Sequence, residues 1–466
     1  MASAKLSAEL FTVPLPDGSF IVYAPLRRAA FVANAALVNV LASAQEKGWL
    51  ENADDASVGE FLRQLEILDG KPECAPSLHL QGEPEPTAVT LFLTTACNLR
   101  CTYCYASAGD TPTKFMPLEV AKGGIDFVSE NARRKGIDHF DVTYHGGGEP
   151  TVHWRVMVDS LEYAHRRGGA MGLNVNASCA TNGVLSDAQV DWIISSLSGV
   201  SLSFDGLPTV HDKNRLTVLG RGSSDRVMAT MRSFDKAAFP YGLRVTVTAD
   251  HIARLPESIS FICSNFAPTK IQVEPAYQLG RWENAPSAET EAFIQAFRAS
   301  QAVANGHGRE IHFSTARVGS LTNHFCGVSR DGFSLSPDGN VSACYEVFSE
   351  DSSRAEAFFY GKPTPSPGKY LFDFKILNNL RGQGVQQREF CAGCFAKWSC
   401  GGDCYHKALT VSIDGTFSGS DRCHITRELT KDQILDKITR SGGLVWHEES
   451  GNRSSEASGS GKEFLL

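Results

Sequence analysis

The chain has 466 residues, 42% hydrophobic and 21% charged, the composition of a globular protein with room for about two to four domains. No apolar run approaches the roughly 18 residues of a membrane span, and no basic-then-apolar leader opens the sequence, so no membrane partner is expected and the expected location is cytoplasmic. Forty-four Lys and Arg against 52 Asp and Glu leave a net charge of −8, which argues against a nucleic-acid partner.

Residues 1–85 read as a small α+β module. Segments 11–15 and 19–26 around the turn Pro16-Asp17-Gly18 predict a hairpin, and residues 30–33 a third strand. Amphipathic helices are predicted at 35–47, stopped by Gly48, and at 58–68. The proline-bearing stretch 81–86 reads as a linker. From residue 86 to 312, strands are predicted at 88–93, 140–144, 173–179, 200–204, 243–248 and 270–273, with helices between them such as 118–135 and 154–167. Six such repeats predict an α/β fold with a parallel sheet curved into a partial (β/α)6 barrel of TIM type. Residues 313–430 break into short pieces rich in Gly, Pro and Cys, which predicts a domain crosslinked by metal. Residues 431–466 predict a C-terminal helix and a Ser/Gly-rich disordered tail from 450.

Thirteen cysteines in a chain expected to stay in a reducing compartment point to metal-binding thiols rather than disulfides. Cys97, Cys101 and Cys104 follow the first barrel strand as CxxxCxxC. Three thiolates from one loop leave one iron of a four-iron cubane without a protein ligand, and an open iron is where a ligand is activated. A zinc knuckle needs a fourth Cys or His, and ten residues on either side supply none. The other strand ends carry Gly146-Gly147-Gly148-Glu149-Pro150, Thr181-Asn182-Gly183, Ser203-Phe204-Asp205-Gly206 and Glu274-Pro275. Barrel active sites sit at such ends, and the glycines of the second predict close approach of a ligand to the backbone.

These motifs resemble the radical S-adenosylmethionine superfamily over about residues 88–290. The resemblance implies a [4Fe–4S] cluster on Cys97, Cys101 and Cys104, with Tyr103 at the usual aromatic position, and S-adenosylmethionine chelated to the open iron. It implies that Gly147, Gly148, Glu149 and Pro150 order the methionine amino group and that Asn182, Ser203 and Asp205 contact ribose and carboxylate. Arg215 and Arg221 are the two candidates to pair with that carboxylate. An electron from the cluster, delivered by a donor such as flavodoxin or ferredoxin, then cleaves the sulfonium to a 5′-deoxyadenosyl radical that abstracts hydrogen from substrate.

The seven C-terminal cysteines are Cys326, Cys344, Cys391, Cys394, Cys400, Cys404 and Cys423. Their pattern resembles the SPASM extension of radical enzymes, which implies two auxiliary [4Fe–4S] clusters and three clusters in all. The resemblance assigns Cys326, Cys344 and Cys404 to the first, and Cys391, Cys394, Cys400 and Cys423 to the second. The first would keep one iron open, unless His324 or a non-local group such as Cys263 fills it, and an open iron can bind a substrate thiolate for thioether formation. Cys179 and Cys263 read as buried, inert thiols and Cys74 as uninformative.

The strand–strand–strand–helix–helix order of residues 8–80 resembles the winged-helix-like peptide-recognition module of ribosomal-peptide maturases. It implies a precursor peptide as partner, whose leader adds a strand to an exposed sheet edge. The function expected is therefore a radical peptide maturase forming a crosslink, thioether or other modification. The alternatives are a sulfatase-maturase-type oxidation of Cys or Ser to formylglycine, with Glu346 as the candidate catalytic base, and a zinc-binding scaffold.

Overall fold

The computed structural model describes residues 4–50, 56–110, 112–285, 288–411 and 417–448. They form two compact units: one from residues up to His79, Thr315–Phe325 and the residues from Gln383 on, the other from Leu80–Ser314 and Cys326–Gly382.

In the first unit, β1 (Ala4–Lys5) pairs with β5 (Trp49–Leu50), while β2 (Phe11–Pro14), β3 (Phe20–Ala24) and β4 (Ala29–Ala33) form an antiparallel meander. Helix Ala35–Lys47 starts where the Asn34 side chain accepts the Leu37 N–H at 2.9 Å and stops at Gly48. Helix Ala56–Gln64 follows, starting and ending earlier than the 58–68 expected, so the order of three strands and two helices is the predicted one.

The second unit is built on one sheet. Strands β6 (Ala88–Leu91), β7 (His139–Tyr144), β8 (Asn174–Thr181), β9 (Gly199–Ser203), β10 (Tyr241–Val247), β11 (Lys270–Pro275) and β12 (Ile311–His312) run parallel and in sequence order. The six predicted strands are joined by a seventh short one. Their faces differ. On β10, Tyr241, Leu243, Val245 and Val247 are buried while Gly242, Arg244 and Thr246 are half-buried, and β8 and β9 alternate the same way. The buried face is apolar, and each such side chain contributes roughly 1.5–3 kcal/mol. The other face carries Asn176, Ser178, Ser201, Ser203, Arg244 and Thr246, unlike the packed apolar interior of a full barrel.

A boundary of the units falls between Ser314 and Thr315, beside the one expected at 313, but the residues that follow are divided between the two units instead of forming one domain. Strand β13 (Ser334–Leu335) pairs parallel to β6 and leads into the antiparallel β14 (Val341–Ser342), β15 (Phe359–Pro363) and β16 (Tyr370–Phe372). Residues 326–382 thus extend the barrel sheet, because β6 would otherwise leave its backbone groups unpaired. Residues from Gln383 on belong with the N-terminal module. The C-terminal helix also begins earlier than residue 431, spanning Asp421–Arg440, and strand β17 (Val445–His447) follows it and pairs with β4. The tail predicted from 450 lies outside the described residues. No helix among them is long and apolar enough to cross a membrane.

Candidate active site and cysteine clusters

The CxxxCxxC loop leaves the carboxyl end of β6 and is stitched down by its neighbours. Arg100 N–H donates to the Leu216 carbonyl at 2.6 Å and Thr102 N–H to the Asn214 carbonyl at 2.9 Å. The Arg281 guanidinium donates to the carbonyls of Cys101 (2.5 Å) and Ala108 (3.0 Å), and its backbone N–H to that of Cys104 at 3.0 Å. Cys97, Cys101 and Cys104 are half-buried. Burial, with Glu149 next, pushes the Cys97 thiol up to about 12, and burial, offset by Arg215, pushes Cys101 to about 11.

The Gly146–Pro150 turn packs against the chain's own backbone. Gly148 N–H donates to the Thr94 carbonyl and Glu149 N–H to the Ala96 carbonyl, both at 2.9 Å. A Cβ on Gly148 would stand 2.0 Å from the Ala96 oxygen. The backbone that approaches closely is that of residues 94–96, the chain's own run-in to the cysteine loop. Glu149, 3% exposed, accepts from the Thr151 hydroxyl (2.8 Å), the Thr181 hydroxyl (2.9 Å) and the Asn182 N–H (2.8 Å). Its carboxylate ties the end of β7 to the end of β8. Asn182 completes the link, donating to Asn98 Oδ1 at 2.7 Å and standing 3.8 Å from Cys97 Sγ.

The two candidate arginines separate. Arg221 is exposed on a turn, whereas Arg215 is buried and donates through Nε and Nη2 to Asp205 at 3.0 and 3.2 Å. Its guanidinium lies 5.2 Å from the Tyr103 ring centre, and the Tyr103 hydroxyl donates to the same carboxylate. Asp205 also accepts from Thr246 N–H at 3.1 Å. Burial opposes its charge, yet Arg215 and these bonds hold the carboxyl below the usual range. Asp205 and Arg215 are thus engaged with each other, while Ser203 ends β9 on the polar face, next to Arg244.

A second group on this face escaped the sequence reading. The buried His145 Nδ1 has no partner, and its ring centre lies 5.0 Å from that of Tyr345. Burial lowers His145 to about 4, helped by Arg244 and opposed by Glu346. Glu346 and Arg244 also act on Tyr105, whose hydroxyl is driven up mainly by burial. Glu346, the candidate base, therefore shares its surroundings with His145, Tyr105 and Arg244. The available signal was the polar residue at every second position of Leu243-Arg244-Val245-Thr246-Val247.

Of the C-terminal thiols, Cys391, Cys394, Cys400 and Cys423 line one cavity of about 20 Å³ with Phe390 and Phe417. The loop around them is braced by charge. Arg422 donates to Asp403 at 2.5 Å, both 5% exposed, and Arg317 donates to the carbonyls of Ser399 and Cys400 at 3.2 Å. Gly401 has φ 71° and would place a Cβ 2.4 Å from the His324 carbonyl. Burial pushes Cys391 to about 11 and Cys400 higher still. Cys326 and Cys344 stand in the other unit, both acting on the buried Tyr345 hydroxyl; Cys404 belongs to the unit of the four. His324 Nδ1 is 2.5 Å from Asn323 Oδ1. Cys179 is fully buried, Cys74 is exposed, and Cys263 is only half-buried, because helix Leu255–Asn265 buries Leu255, Ser258, Ile259 and Ile262 and Cys263 is not among them. Among the described residues, no three His, Cys, Asp or Glu side chains converge to hold a single metal ion. A cluster makes no such demand, since each thiolate binds its own iron.

Residues 91–258 match the Radical SAM superfamily and form a radical S-adenosylmethionine domain, and the chain is an enzyme. Enzymes with this domain work with S-adenosylmethionine and a [4Fe–4S] cluster, and the thiols of Cys97, Cys101 and Cys104, close enough to act on one another and with Asn182 3.8 Å from Cys97 Sγ, fit that pair. A pre-heme d1 synthase of Dinoroseobacter shibae is 22% identical over 408 residues, 81% of this chain and 96% of the relative. The mycofactocin maturase MftC of Mycolicibacterium smegmatis is 26% identical over 280 residues, 57% of this chain and 65% of its own. The crystal structure of Streptococcus suis SuiB bound to precursor peptide SuiA shares the fold with a TM-score of 0.51 at 12% identity, covering 90% of this chain and 99% of SuiB.

Proposed function

We propose that this enzyme matures a precursor peptide, forming a crosslink, thioether or other modification at an unactivated carbon. The observation that carries the reading is the polar face of the parallel sheet from whose first strand the three-thiol loop leaves: it can receive a polar chain where an ordinary barrel is filled. A maturase among the relatives and a neighbour whose structure holds a precursor peptide support it. When bound, the cofactors supply a 5′-deoxyadenosyl radical by one-electron cleavage of S-adenosylmethionine, with flavodoxin or ferredoxin as the electron donor.

The chain's own residues bind and orient. Cys97, Cys101 and Cys104 hold the cluster. Tyr103, Gly147, Gly148, Pro150, Asn182 and Ser203 surround the nucleoside and amino-acid groups, while Glu149, Asp205 and Arg215 fix the loops that carry them. The seven C-terminal thiols hold two further clusters. Glu346 would serve a formylglycine-forming enzyme as base, but its neighbours His145 and Arg244 serve equally well to bind a polar substrate.

A second reading has its own support, the match to pre-heme d1 synthase across 81% of this chain, and makes the substrate a haem precursor. Anaerobic reconstitution tests the common core: about twelve irons, three cubanes, are expected, with 5′-deoxyadenosine formed on reduction. Stoichiometric zinc without iron overturns it. A mass change in a co-expressed precursor peptide, against one in a tetrapyrrole, decides between the two substrates.

A further inference from the structure

The large sheet of the second unit ends at β16, whose outer side pairs with no strand among the described residues. The inner side fixes which backbone groups are left over. In the β15–β16 hairpin Gly361 stands opposite Phe372, Lys362 opposite Leu371 and Pro363 opposite Tyr370. Thr364 N–H donates to the Lys369 carbonyl at 2.9 Å, and Asp373 N–H to the Tyr360 carbonyl at 2.7 Å. Opposed residues of an antiparallel pair alternate between hydrogen-bonded and non-bonded. With 364 bonded to 369 and 360 to 373, Leu371 also turns its N–H and carbonyl inward, to Lys362. Tyr370 and Phe372 turn theirs to the open side.

The two faces of β16 differ as well. The Tyr370 and Phe372 rings are packed: the Phe127 ring of helix Leu118–Arg134 lies 5.2 Å from the first and 6.0 Å from the second, and Phe333 lies 5.1 Å from Tyr370, centre to centre. The other face carries Lys369, Leu371 and Asp373, all exposed, Leu371 by 72%. A firmly backed edge strand with a large apolar side chain in water is a template for pairing with another chain. A lysine blunts such an edge when it stands alone. Here Asp373 follows two residues after Leu371, as Lys369 precedes it by two, so the strand carries its own countercharge.

We propose that β16 pairs antiparallel with the β16 strand of a second copy of this chain, about a two-fold axis through Leu371. In that register each Tyr370 stands opposite the Phe372 of the other copy in a hydrogen-bonded pair, so all the outward N–H and carbonyl groups are satisfied. Leu371 meets Leu371 in the close, non-bonded pair at the axis, and each Lys369 meets an Asp373. The contact is isologous, the same patch on both copies. Neighbouring registers lose this match: an axis through Tyr370 sets Leu371 against Lys369, and an axis through Phe372 sets it against Asp373. Residues 369–373 are few beside the roughly 20–30 residues a side of a stable interface, so the dimer forms and dissociates with concentration.

Sedimentation velocity of the anaerobically reconstituted full-length enzyme over a range of concentrations tests this. The parent should shift from monomer to dimer as concentration rises. Leu371→Lys and Leu371→Glu alter an exposed position, so each should keep the parent's circular dichroism. Each should weaken association by about tenfold, because like charges then face each other at the axis. The two variants mixed in equal amounts should regain the parent's association, since a lysine then faces a glutamate, and only a position that meets itself behaves in this way. A parent that stays monomeric at every concentration overturns the proposal. So do single variants that associate as the parent does, or a mixture that stays as weak as its components.

Discussion

The thiols of Cys97, Cys101 and Cys104 and those of Cys391, Cys394, Cys400 and Cys423 are held by different kinds of structure. The first group hangs from the end of a parallel sheet through backbone hydrogen bonds to residues 214–216 and 281 and through the glycine contact at Gly148. The second is braced by the Arg422–Asp403 pair, the reach of Arg317 and the approach at Gly401. A loop on a sheet inherits its position from the sheet, whereas a loop held by charges and short helices needs its crosslink to stay in place. Three thiols on a rigid base suit chemistry at an open iron; four around a narrow cavity suit a closed cluster.

The largest way to break this contrast is to exchange the thiols. Cys97, Cys101 and Cys104 all changed to Ala should lower 5′-deoxyadenosine formation by at least about 10³-fold, roughly 4 kcal/mol in barrier, with circular dichroism unchanged. Cys391→Ala with Cys394→Ala should instead lose cluster iron and thermal stability. If both variants lose only activity, the distinction fails. Next come the buried ion pairs. Arg215→Met leaves Asp205 charged and unpaired, and Arg422→Met does the same to Asp403; each should destabilise by roughly 3–5 kcal/mol in urea titrations. Their double variants with Asp205→Leu or Asp403→Leu should recover part of that loss.

Two smaller effects sharpen the comparison. Gly148→Ala places a methyl group against the Ala96 carbonyl and should cost about 2–3 kcal/mol, together with a fall in 5′-deoxyadenosine formation. Gly393→Ala, between Cys391 and Cys394, meets nothing within 4 Å and should stay within about 0.5 kcal/mol. The last is a pH effect. Burial lowers His145 and His211 from 6.5 to about 4, so the unfolded chain binds more protons between those values and stability falls as pH falls through that window. Each contributes on the order of 2 kcal/mol of loss by pH 5. His145→Gln should flatten urea midpoints measured from pH 7 to pH 5 by its own share.

Much of this was legible in the residues. The strand predicted at 140–144 is His139–Tyr144, and the helix predicted at 35–47 is Ala35–Lys47, because hydrophobic period and capping are local. The three-thiol loop was legible because its spacing is local too. The glycines before Glu149 are legible as a motif, but their contact with residues 94–96 is not, since only the fold brings that segment against them. Arg244 and His145 were missed: a lone polar residue in a strand has meaning only once the face it shares is known.

What the sequence by itself determined is therefore what short-range chemistry controls: the alternating strands and helices, the thiol spacings, the caps and the class of cofactor. Tertiary structure decided the rest. It paired Arg215 with Asp205 and left Arg221 in water, gathered Cys391, Cys394, Cys400 and Cys423 around one cavity, and divided residues 313–430 between two units. It also brought Val445–His447 to the edge of β4. These outcomes depend on which distant surfaces and unpaired backbone edges find each other, and no local pattern records the free energy of that choice.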